Sequence, residues 1–151
     1  VEMDSLWIPL TSGMDLDKLV KAILYDLIMI AFAIPAVFIA ALTFSNLIEP
    51  LMPLVLVFSM SMIGCSVNLY VVTRFLGRKH RAALWMMISW ASLLLTALLL
   101  IPTYILSGLS LLLNLSLQLN AILSTFIIAY STLVFIYLSK ATAKEALSIE
   151  I

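Results

Sequence analysis

Asp26 is the one acidic residue set inside a long apolar run, which makes it the first candidate for chemistry. An ionised carboxylate in hydrocarbon is costly unless it is paired, hydrated or protonated, so it marks either a structural ion pair or a group that handles protons or cations. Lys21 precedes it by about 7 Å along a helix axis. Arg74 and Lys140 close two later apolar runs and are expected at a similar depth. Structural pairing of Asp26 with one of these cations is the preferred reading.

A second group of residues speaks of contact rather than reaction. Ser61, Gly64, Cys65 and Asn68 recur at three- and four-residue spacing and therefore share a helix face. Small residues there let two backbones approach, and Asn68 can bond across the contact. Further on, Ser110, Asn114, Gln118, Thr125 and Thr132 form one stripe, and Ser116, Asn120, Ser124 and Ser131 form another. At about 100° per residue the two stripes fall on different sides, so the last helix is expected to be central and to touch several neighbours. Polar stripes also line hydrated pathways. Their commoner use is to join helices, and Ser61, Gly64, Cys65, Asn68, Asn114, Gln118 and Thr125 are read as helix-interface positions.

Other chemistry lacks its parts. His80 is the only histidine and sits between Lys79 and Arg81, whereas a bis-histidine haem needs two imidazoles and a catalytic zinc several ligands. Cys65 is the only cysteine, which removes an intrachain disulfide and any Cys-rich metal motif. Serines are plentiful, but no intramembrane histidine or lysine stands ready to activate one. No catalytic residue, cofactor or metal site is therefore expected. Asn114-Leu115-Ser116 matches a glycosylation sequon, but its helical position near the membrane predicts that it stays unmodified. Eight basic and eight acidic residues balance to zero, so no whole-chain field favours nucleic acid.

The elements that must position these residues follow from composition. Of the 151 residues 64% are hydrophobic and 11% charged; ordinary soluble domains carry roughly 45–50% and about 25%. A water-soluble fold of this size has no interior able to hide that much apolar surface. Four apolar runs, at about 19–44, 51–73, 82–101 and 109–138, each reach spanning length. They predict an all-α integral membrane protein, a four-transmembrane-helix bundle forming a single domain over 1–151. Pro50 and Pro53 mark the entry to span two, and Pro102, Ser107 and Gly108 are expected to separate spans three and four. Span four is long for a bilayer, so its beginning is expected to be tilted or interfacial.

Charge distribution supplies an orientation. Lys18 and Lys21 precede span one; Arg74, Arg78, Lys79 and Arg81 join spans two and three; Lys140 and Lys144 follow span four. With four spans these places share one side, which the positive-inside rule names cytoplasmic, so both chain ends are expected there. Trp7, Tyr25, Trp85, Tyr104 and Tyr137 fall near the predicted boundaries, while Trp90 is deeper and expected to pack between helices.

These readings point to a non-catalytic membrane subunit or assembly partner of a larger complex or homo-oligomer. Its expected partners are membrane lipids together with other membrane subunits or copies of itself. The alternative is a small proton or cation channel or transporter using Asp26 and the polar residues of span four.

Overall fold

The computed structural model describes residues 16–44, 51–75, 82–113 and 116–149, and all of these except Leu113 and Ser116 are helical. The helices are α1 (Leu16–Phe44), α2 (Leu51–Phe75), α3 (Ala82–Leu112) and α4 (Leu117–Ile149). All four are long and apolar enough to cross a membrane. In hydrocarbon every backbone N–H and C=O must be paired within the protein, and a continuous helix does this alone. Asp17 in the first turn of α1 and Arg74 in the last turn of α2 each complement the helix dipole.

The break between the last two helices differs from the expected one. Pro102 lies inside α3, which continues to Leu112, and α4 begins at Leu117. The two helices are therefore separated between Leu112 and Leu117, beyond Pro102, Ser107 and Gly108, and α4 runs on past Leu138 to Ile149. A proline removes one intrahelical hydrogen bond, that to Leu98, but a spanning helix tolerates this where a neighbouring helix supplies polar contact. One residue on, the hydroxyl of Tyr130 of α4 donates to the carbonyl of Leu99 at 2.8 Å.

Interhelical contacts fix the topology. Ser59 meets Ser131 and Met52 meets Ser124, both pairs 72 residues apart, so α2 and α4 run parallel and in register. Ser59 also meets Thr103, and Gly64 lies against Thr96, which sets α3 antiparallel to α2. The result is an up-down-up-down bundle in which α2 packs most extensively against α4, then α3, then α1. The most enclosed helix is α2, with 39% of its most apolar stretch buried against 11% for α1. The expectation that the last helix is central is met in part: α4 touches all three others, but α2 shares that position.

Two apolar clusters fill the interior. Val20, Leu24 and Ile28 of α1 join Met62 and Phe135, and Ile63, Val67 and Val71 of α2 join Ile88, Leu100 and Leu138. A helix-wide apolar composition is left facing outward, as in Ile34 and Phe38 of α1 and Leu94 and Leu98 of α3. Trp90, expected between helices, also points outward and is 61% exposed. Lipid contacts an indole as readily as a neighbouring helix does, so apolar character alone does not choose its side.

Candidate functional site

Every buried polar side chain among the described residues is a serine or a threonine. Their placement follows a seven-residue period. Ser59, Ser66 and Thr73 follow Met52 along α2, and Ser124, Ser131 and Leu138 answer them along α4, all of them buried. A heptad repeat keeps one seam of two parallel helices in contact, and small side chains on it let the backbones approach.

At the middle of this seam the hydroxyls of three helices join. Ser131 spends its only proton on the carbonyl of Ile127, at 2.8 Å. It must therefore accept from Ser59, with which it makes a short contact. The Ser59 oxygen is then free to accept from Thr103 of α3, at 3.5 Å and so weakly. The order of donation runs Thr103 to Ser59 to Ser131 to Ile127. Each bond polarises the next, but the relay ends on a carbonyl, which passes no proton onward. Its chemistry is that of a joint. Elsewhere on the inner side Ser66, Ser124 and Thr142 return their protons to carbonyls one turn earlier in their own helices.

The residues singled out from the sequence are divided by the fold. Ser61 is buried and donates to Val57 of its own helix. Gly64 faces α3, where an added Cβ would lie 3.9 Å from Thr96 Cγ2, and Cys65 packs against the cluster built on α1. Asn68 is exposed and makes no hydrogen bond to another described residue. On α4 the inner stripe is the one holding Ser124 and Ser131, whereas Gln118 and Thr125 are exposed. Thr125 satisfies itself on the carbonyl of Ala121. Asn114, His80 and Trp7 lie outside the described residues. Ser59, Ser66, Thr73 and Thr103 are the interface residues that three- and four-residue spacing misses; the seven-residue recurrence of small hydroxyls on α2 is the signal that finds them.

Asp26 occupies an unforeseen position. The buried side of α1 carries Val20, Leu24, Ile28 and Ile39. At about 100° per residue Asp26 stands about 200° from Leu24 and about 160° from Ile28, directly opposite. It is exposed and forms no ion pair with Arg74 or Lys140, both also exposed. The side chain of Arg74 turns instead to Tyr70, donating to its hydroxyl at 2.9 Å and lying over its ring. The ion pair that does form in α1 is local, Lys21 to Asp17 at 2.5 Å.

Among the described residues a groove of about 470 Å³ lies on the outer surface where α2, α3 and α4 meet. Its walls are apolar, Leu95 and Leu99 opposite Leu133 and Val134, with Tyr70, Tyr130 and Tyr137 along its length. Compared with known proteins, the chain matches no family model, and neither a curated protein nor a solved structure matches it significantly.

Proposed function

We propose that this chain is a non-catalytic integral membrane subunit that assembles, through the outward face of α1, with another membrane subunit or a second copy of itself. The observation that carries this reading is Asp26, a carboxylate on the side of α1 that its own bundle leaves uncovered. Within hydrocarbon such a residue costs about 2.5–3.5 kcal/mol at the helix centre, and intramembrane carboxylates almost always face a bundle interior or water. A neighbouring helix over α1 gives Asp26 that interior. Asp26, Ala33 and Ala40 recur every seven residues and are all exposed, the same period of small residues that α2 uses inside the bundle. The hydroxyl relay supports a packed joint over a conduit, because its bonds run between helices and end on backbone.

Orientation follows the basic residues. Lys18 and Lys21 start α1, Arg74 ends α2, and Lys140 and Lys144 lie near the end of α4, so the up-down arrangement gathers these five at one end of the bundle. In the proposed topology that end, with both chain termini, is cytoplasmic.

Purification in mild detergent followed by native mass measurement tests the assembly. The parent chain is expected in a complex, and Asp26→Leu is expected to release it as a helical monomer. A parent that is monomeric under these conditions, or an Asp26→Leu variant that keeps the whole complex, overturns the proposal.

A further inference from the structure

We infer that the groove between α3 and α4 holds one acyl chain of an anionic phospholipid, with the phosphate at Arg74 and Lys144. On α4 the groove extends from Tyr130 to Ala141, about 16 Å of helix and close to the ~15 Å of one leaflet, half a hydrocarbon core of about 30 Å. A volume of about 470 Å³ spread over that length leaves a cross-section of roughly 30 Å². The dimensions suit a single extended acyl chain.

Where the groove reaches the end of α2 and of α4, each helix carries a cation. Arg74 follows Tyr70 by one turn and donates to its hydroxyl, which places the guanidinium at the groove mouth. Lys144 continues the stripe of Tyr137 and Ala141 at four- and three-residue spacing, and its side chain is exposed. The register of α2 on α4, 72 residues, sets Arg74 level with Ala146, so the backbones of Arg74 and Lys144 lie within about 3 Å of each other in height. Around this mouth Arg74, Lys140 and Lys144 outnumber Glu145, the one acidic residue among the described residues of this part of α4. A basic mouth at the interface above an apolar slot is complementary to a lipid whose headgroup carries net negative charge, and each cation near the surface contributes roughly fivefold in affinity. The groove includes no residue of α1, so this site and the assembly face succeed or fail separately.

Native mass spectrometry of the detergent-purified protein, titrated with dioleoyl phosphatidylglycerol or dioleoyl phosphatidylcholine, tests the site. One phosphatidylglycerol is expected to be retained in clear preference to phosphatidylcholine. Arg74→Gln and Lys144→Gln are each expected to lower that preference roughly fivefold, while Lys18→Gln, at the same end but on α1, leaves it unchanged. Leu133 lines the groove and is 67% exposed, so Leu133→Trp can fill the space without disturbing the interior; it is expected to abolish retention of both lipids with helicity intact. Equal retention of the two lipids by the parent protein, or phosphatidylglycerol binding that survives Leu133→Trp, overturns the assignment.

Discussion

Replacing Ser59 and Ser131 by alanine, singly and together, measures the joint at the centre of the bundle. Alanine keeps the seam small, so the backbones of α2 and α4 retain their approach and the measured loss belongs to the hydroxyls. Ser59→Ala removes the donor to Ser131 and the acceptor for Thr103, which is buried with 1% exposure. Interhelical hydrogen bonds in membranes average about 0.6 kcal/mol and reach about 1.7. Two bonds, one of them long, give an expected loss of about 1–2 kcal/mol. Ser131→Ala removes the short bond to Ser59 together with the bond to Ile127 and should cost about 1 kcal/mol, since the Ile127 carbonyl keeps its helical N–H partner. If Ser59 donates to Ser131 the effects overlap, and the double variant is expected to fall short of the sum of the singles by about 0.6–1.7 kcal/mol. Equilibrium unfolding in mixed micelles, followed by circular dichroism, supplies the three free energies. Additivity within about 0.3 kcal/mol would refute the relay.

Asn68→Leu and Gln118→Leu, both on exposed faces, are expected to leave the stability of the isolated chain within about 0.5 kcal/mol in the same assay, so a loss of more than 1 kcal/mol would place them inside the bundle. Gly64→Ala should be neutral or stabilise α2 by about 0.5–1 kcal/mol, because the added methyl meets Thr96 at an ordinary contact distance while the backbone loses conformational freedom; a marked loss of stability would mean a closer α2–α3 approach. Tyr130→Phe should cost about 1 kcal/mol in the same assay by removing the bond to Leu99, and no loss would mean that the bond does not hold α4 to α3. In a Cys65→Ala background, cysteines placed at Lys18 and Lys144 should react with an impermeant reagent only from the cytoplasm; reaction from outside would reverse the orientation.

Four spans and their helical nature are readable directly, because lipid imposes one requirement on every residue of a run and a count of apolar residues captures it. Which face turns inward is not readable the same way. Around α4 apolar residues stand on all sides, so the stripe of Gln118 and Thr125 and that of Ser124 and Ser131 look alike until a partner helix selects one. Hydroxyls satisfy themselves on their own helix, as Thr125 and Thr132 do, and so sit comfortably facing outward. Asp26 misleads for a related reason. Its cost in lipid argues for a partner, and the sequence of one chain offers only that chain's own cations as candidates. Pro102 does not end α3, because a spanning helix packed among others tolerates the loss of one intrahelical bond that would stop a helix in water.

The parallel pairing of α2 with α4 has a consequence for assembly in time. The most extensive interface joins helices whose contacting residues are 72 positions apart, with all of α3 threaded between them. As the chain emerges, α1, α2 and α3 reach the bilayer first, and α2 waits with Ser59, Ser66 and Thr73 facing lipid. α3 brings Thr103 to Ser59, but the stronger partner of Ser59, Ser131, arrives only with α4. Helix insertion and helix docking are separate stages in membranes, and here the second cannot finish until the last helix arrives. A chain stopped after α3 should therefore be fully inserted yet unlocked.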